Sequence, residues 1–185
     1  MGNCEWVFIG DYMQIQVDTR EHKKEWERIS KQFDELGVKY FRSKLYCGDY
    51  QSMDNTRLVI DRKKDLQEIC NNICQQHERF KDELIRAMEQ GIKIIILCEH
   101  GPDITCIEDV MFWDNPRRKI QKWVTTPSGQ KRRVLKYPKA TNGDALYKSL
   151  CTIRDRYNVQ FEFCTKEQTG KRIIELLGEN NGKKD

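Results

Sequence analysis

The sequence has 185 residues, 38% of them hydrophobic and 34% charged, with a formal net charge of +4. That length suits one domain of ordinary size, and Trp, Phe, Tyr, Ile and Leu recur throughout, which excludes a disordered polyelectrolyte. No apolar run approaches the ~20 residues that would span a bilayer, and the start, Met1-Gly2-Asn3-Cys4-Glu5-Trp6, lacks the basic-then-apolar pattern of a signal peptide. No membrane association is expected, and the chain reads as cytoplasmic.

Residues 6–18 alternate and end in Ile15-Gln16-Val17-Asp18, which reads as a strand. Trp26, Ile29, Phe33 and Leu36 recur at three- and four-residue steps, so a helix is expected before Gly37. Val38–Leu45 reads as a second strand, and Cys47-Gly48-Asp49-Tyr50 turns into another extended piece. Leu58-Val59-Ile60 opens a buried strand that runs into Asp61-Arg62-Lys63. Two helices follow, one lined by Leu66, Ile69, Cys70 and Ile73, the other by Phe80, Leu84, Ala87 and Met88, stopping at Gly91.

The run from Ile92 to Cys98 is nearly all apolar and β-branched, the mark of a central strand covered on both faces. Farther on, Lys122-Trp123-Val124-Thr125 and Arg133-Val134-Leu135-Lys136-Tyr137 flank Pro127-Ser128-Gly129, which predicts a β-hairpin. Leu146, Leu150, Ile153 and Tyr157 then predict a helix, and Val159, Phe161 and Phe163 a strand. Thr165 and Gln168 fit a capping box for a last helix carrying Ile173, Leu176 and Leu177 and ending at Gly178, before a frayed tail. Strands first, then alternating helices and strands, indicate an α/β fold with a mixed sheet flanked by helices.

The eight cysteines contain no C-x-x-C pair, and His22, His77 and His100 are scattered, so the spacing does not make a zinc site. Reduced thiols fit better. Charge is distributed unevenly. Arg117, Arg118, Lys119, Lys122, Lys131, Arg132, Arg133, Lys136 and Lys139 lie in one stretch with no acidic residue, and the rest of the chain is left with a net of −5. Such a patch is the electrostatic footprint expected for a phosphate backbone. Trp113 and Trp123 lie close enough in sequence to stack on exposed bases.

Hydrolysing a phosphodiester at neutral pH requires charge neutralisation and an activated water, and hard cations held by carboxylates supply both. In a strand, alternation puts Asp61 and Lys63 on one face and Arg62 on the other. A hairpin from Gly48-Asp49 would bring Asp49 beside Asp61, while Asp18 and Glu21 sit at another strand end. A D-x-K triplet alone is common; the combination is far more specific.

Taken together, these motifs resemble the XPF-type structure-specific endonucleases, a branch of the PD-(D/E)-x-K nucleases. The resemblance rests on Val17-Asp18-x-Arg20-Glu21, Gly48-Asp49, Asp61-Arg62-Lys63 and Asp65-Leu66, and covers most of residues 15–100 and 144–177. The family usually has Glu where this chain has Asp61, and its spacing from the lysine to the next Asp is longer. Its larger members append a helicase domain or tandem helix–hairpin–helix modules; this sequence contains neither, and its layout is similar to short bacterial or phage members.

The resemblance implies a restriction-endonuclease-like three-layer α/β/α fold with a central mixed sheet. One nuclease domain is expected over residues 1–185, with a basic β-hairpin insertion at about 113–143. It implies a metal-dependent DNA endonuclease, cutting branched, flapped or junction DNA in repair or recombination in a bacterial or phage-infected cell. Asp18, Asp49 and Asp61 would bind Mg²⁺ (Mn²⁺ as substitute), and Lys63 would position water or stabilise developing charge. Arg62 and Glu21 would support the site, and Arg20 would contact DNA or pair with a carboxylate. DNA is the implied partner, together with a second copy of the chain as a homodimer. Two alternatives remain open from sequence: a catalytically weak or inactive DNA-binding scaffold of nuclease fold, and a resolvase- or restriction-type nuclease of the same superfamily.

Overall fold

The structure, a computed structural model, describes residues 13–179; the N-terminal half of the first expected strand and the C-terminal tail lie outside them. The first strand, β1 (Gln14–Val17), leads into α1 (Lys23–Glu35), whose core face is Ile29 and Phe33. Leu36 falls at the helix C-cap and is exposed, because the chain reverses at Gly37 before the helical stripe can continue. Next come β2 (Lys39–Arg42), β3 (Tyr50–Ser52) and the nine-residue β4 (Asn55–Lys63). Helices α2 (Leu66–Cys74) and α3 (His77–Glu89) connect β4 to β5 (Lys93–Glu99). After the insertion come α4 (Gly143–Tyr157), β8 (Gln160–Cys164) and α5 (Thr169–Glu179).

Six strands form one mixed sheet in the order β2-β1-β3-β4-β5-β8. β3 is antiparallel to both neighbours, whereas β4, β5 and β8 run parallel. The parallel strands need crossovers, which the α2–α3 pair and α4 supply. Side-chain alternation divides the core. Val59, Ile94, Ile96 and Cys98 pack under α2, α3 and α4 with Leu66, Ile69, Leu84, Leu146 and Leu150. Leu58, Ile60, Ile95 and Leu97 pack on the other face against α1 and α5, with Phe33, Ile173 and Leu177. This is the expected three-layer arrangement. Each fully buried Ile or Leu at the centre contributes about 1.5–3 kcal/mol.

Several details differ from the sequence reading. Met88 is exposed rather than on the core face of α3. The last helix runs through Gly178 to Glu179, and Thr165–Gln168 forms a turn that precedes it. Leu146, Leu150, Ile173 and Leu177, whose apolar stripes could from sequence bury either in the core or in a partner, are fully buried in the two cores.

The insertion contains the expected hairpin, β6 (Gln121–Thr125) and β7 (Lys131–Leu135), a separate two-stranded sheet with Trp123 opposite Arg133. Its base is closed by Asn115, buried, whose Nδ2 donates to the Thr141 carbonyl at 2.7 Å while its Oδ1 accepts from the Arg117 N–H. Gly143, where the chain re-enters the domain, has no room for a side chain: a Cβ would lie 2.5 Å from the Val110 carbonyl.

Candidate active site

The β3–β4 hairpin positions the site. Gly48 has φ of +68°, and a Cβ there would meet the Ile60 carbonyl at 3.1 Å, so both conformation and space favour glycine. This turn lets the Asp49 N–H donate to the Ile60 carbonyl at 2.8 Å while the Asp49 carbonyl accepts from the Asp18 N–H at 2.8 Å. The backbone of Asp49 is thereby tied to β4 on one side and to the end of β1 on the other. Its carboxylate accepts from the Arg62 backbone N–H at 2.8 Å.

Asp61 and Lys63 share a face of β4, as alternation predicts. Lys63 Nζ lies 2.8 Å from Asp61 Oδ1 and 2.7 Å from Oδ2. Burial works against the Lys63 ammonium, but the Asp61 and Asp49 carboxylates outweigh it and raise its pKa above the ordinary lysine value. The opposite holds for Asp49. Its enclosed position, then the negative charges of Asp61 and Glu21, push its carboxyl pKa well above the usual range.

Arg62 points to the other face and is nearly buried. Its Nη2 and Nε donate to Glu21 at 2.7 and 3.1 Å, and the Tyr50 hydroxyl donates to the same carboxylate at 2.9 Å. Beneath it, Glu99 at the end of β5 accepts from Arg28 and, at 2.7 Å, from the Thr169 hydroxyl. Arg62 Nη1 stands 3.2 Å from Glu99 Oε2. That pair has ion-pair distance without hydrogen-bond geometry, since neither atom has a hydrogen-bond partner. A chain of alternating charges thus braces β4 against α1, β5 and α5.

Asp18 is fully buried and is directed elsewhere. It accepts from the Leu45 N–H at 2.7 Å, the Arg20 N–H at 2.6 Å, and the Arg20 side chain at 2.8 and 2.9 Å. Burial raises its pKa, but the bonds from Arg20 and Leu45 more than offset this, leaving it below the usual carboxylate value. Both oxygens are engaged in holding the β2–β3 connection. Asp65 caps α2, accepting from the Glu68 N–H at 2.7 Å.

Asp49, Asp61, Arg62 and Lys63 line a cleft of about 530 Å³ together with Arg20, Glu21 and Asn71; Asp18 does not line it. Among the described residues no group of three or more His, Cys, Asp or Glu side chains gathers into a metal-binding cluster. The donor set nevertheless suits a hydrated hard cation, which needs one or two carboxylates and fills its remaining positions with water and phosphate oxygens. Arg62 is committed to Glu21 and Lys63 to Asp61, so the Asp49 charge is left without a side-chain cation bonded to it.

The basic segment meets the domain at α2. Arg117 donates to Asn71 Oδ1 at 2.8 Å and stands 5.4 Å from the centre of the Tyr137 ring. Lys119 pairs with Asp114. Lys122, Lys131, Arg132 and Arg133 lie exposed on the hairpin, and Arg133 stacks 5.0 Å from the centre of the exposed Trp123 ring. Trp113 is buried in the core beside α4, which removes it as a base-stacking residue. Sequence reasoning did not identify Arg28, Tyr50 and Thr169 as parts of the site's support. Glu99 carried a signal, being a carboxylate that continues an otherwise apolar buried strand and so requires partners.

A mixed sheet with helices on both faces, and a carboxylate–carboxylate–lysine group at the end of β4, define an XPF-type nuclease domain. A family model described as the ERCC4 domain matches residues 17–177, and the chain belongs to that family. Among solved structures it is similar to XPF from Aeropyrum pernix, with a TM-score of 0.59 at 16% identity over 92% of this chain. It is also similar to XPF from Aeropyrum pernix in complex with DNA, with a TM-score of 0.57 at 16% identity over 91% of this chain. The chain spans 66% and 64% of those two chains. No curated protein matches it.

Proposed function

We propose that this chain is a divalent-metal-dependent DNA endonuclease acting on branched or flapped DNA. The observation that carries the reading is the Asp49–Asp61–Lys63 group in an open cleft, where the Asp49 carboxylate accepts from the Arg62 backbone N–H while Lys63 is bonded to Asp61. Asp49 and Asp61 would hold Mg²⁺, or Mn²⁺ in its place. When bound, that ion supplies charge neutralisation on a phosphate oxygen and an acidified water.

The chain's own residues do the rest. Lys63 Nζ, held 2.8 and 2.7 Å from the Asp61 oxygens, serves as a fixed donor to the developing negative charge or to the attacking water. Arg62, locked by Glu21, holds the end of β4 so that Asp61 and Lys63 face the cleft and offers its backbone N–H to Asp49. We assign Asp18 to holding the Leu45 backbone and orienting Arg20, whose guanidinium lines the cleft and can meet a phosphate. Lys122, Lys131, Arg132 and Arg133 on the hairpin, with Arg118, Lys119 and Lys136 nearby, provide the basic surface for the DNA backbone.

The test is cleavage of labelled fork, flap and four-way-junction DNA with and without Mg²⁺. Cleavage is expected with the metal and not in chelator, and is expected to be lost in Asp49→Asn and Asp61→Asn. Equal activity of Asp61→Asn and the parent protein would remove this site assignment.

A further inference from the structure

We propose that the cavity between α2 and the basic insertion receives one unpaired base of the DNA strand that crosses the neighbouring cleft; this rests on the nuclease reading above. The cavity measures about 360 Å³, within the ~300–1,000 Å³ typical of small-molecule sites. It adjoins the cleft directly, because Asn71 lines both. A strand lying over Asp49 and Lys63 therefore passes beside this cavity.

The chemistry of the walls selects a base over a phosphate or an apolar chain. Tyr137 is partly exposed, and Arg117 at 5.4 Å and Lys136 Nζ at 5.2 Å lie over its ring. A base entering the cavity would stack on the Arg117 guanidinium plane that covers this ring, or take the place of one of the two cations on it. Asn71 Oδ1 is taken by Arg117, which leaves Gln67 as the amide that can meet a base edge. Gln67 Oε1 is buried with no hydrogen-bond partner, an acceptor left spare at the cavity wall. No carboxylate lines the cavity, and Lys136 and Lys139 at its edge suit the flanking phosphates. A paired base cannot enter, since its edge and both faces are already occupied. The cavity thus favours DNA with a single-stranded element beside the cleavage point.

The experiment uses the full chain and forked duplexes carrying 2-aminopurine, one position at a time, in each arm and in the paired stem. Chelator is present, so that no cleavage occurs. Binding is expected to change the fluorescence of the probe at one unpaired position near the junction and at no paired one. Tyr137→Ala should lose that change and reduce the preference for fork over duplex by roughly five- to 150-fold, the range for one base on an aromatic ring. Tyr137→Phe should keep both. Ala140→Trp, which fills the cavity from its rim, should behave like Tyr137→Ala and serves if the latter fails to fold. Parental fluorescence and parental fork preference in Ala140→Trp, or no probe response at any unpaired position, would overturn the proposal. The two readings separate cleanly: a normal probe response with no cleavage in Mg²⁺ removes the nuclease reading and leaves the base pocket. Normal cleavage without a probe response does the reverse.

Discussion

Asp18→Ala separates a structural carboxylate from a metal ligand. The substitution removes four hydrogen bonds, of which the buried one from the Leu45 N–H at 2.7 Å matters most. Leaving a buried N–H without a partner costs about 1–3 kcal/mol. The bonds to the Arg20 side chain count for less, because that side chain is 57% exposed; a solvent-screened pair contributes about 0–1 kcal/mol. With the shared Arg20 N–H bond added, the loss is about 2–4 kcal/mol, and for a chain of this size a melting temperature roughly 5–15 °C lower. Asp18→Asn keeps an acceptor for Leu45 and should recover about half of that loss. The assay pairs thermal melting with Mg²⁺ titration of cleavage below the melting range. The Mg²⁺ concentration for half-maximal cleavage should be the same in Asp18→Asn and the parent protein. A rise of tenfold or more, with little change in melting temperature, would show that Asp18 ligates the metal and that its bonds in this structure do not describe its working role.

Four further outcomes follow from the same geometry. Asp49 has a folded pKa above its unfolded one, so its ionisation opposes folding: the penalty is absent below about pH 4 and grows as pH rises towards the folded pKa. Asp49→Asn should therefore melt higher than the parent at pH 7 while being inactive, with the difference vanishing near pH 4 in melts run without metal. Lys63→Met should lower single-turnover cleavage by about 10²–10³-fold, and the parent's rate should show no lysine-like alkaline fall below pH 10; such a fall near pH 8 would mean that Lys63 loses its proton in the working site. Glu99→Ala strips a buried carboxylate from Arg28 and Arg62, an expected loss of about 3–5 kcal/mol read by denaturant unfolding. Replacing Lys131, Arg132 and Arg133 by Gln should lower the slope of log affinity against log salt by about 2–3, and an unchanged slope would demote the hairpin to a solvated loop.

Much of this molecule was legible locally. Periodicity in Leu66–Ile73, Phe80–Ala87 and Ile92–Cys98 determined the elements, since a helical stripe and an all-apolar strand each have one way to bury themselves. Alternation determined that Asp61 and Lys63 share a face and that Arg62 leaves it. The glycine before Asp49 made the hairpin that joins Asp49 to β4 readable as well. What remained undecided depended on contacts distant in sequence. Asp18 and Asp49 carry the same side chain at adjacent strand ends, and no local signal says which meets a backbone N–H and which faces a cleft. Trp113 lies just before the basic stretch and Trp123 within it, yet one fills the core and the other stands in solvent, because Asn115 draws the base of the insertion onto the domain and leaves its hairpin outside. Arg28 and Thr169 reach Glu99 from 71 and 70 residues away. A buried carboxylate announces that it needs partners; which partners it finds is decided only when the sheet and its two helical layers close around it.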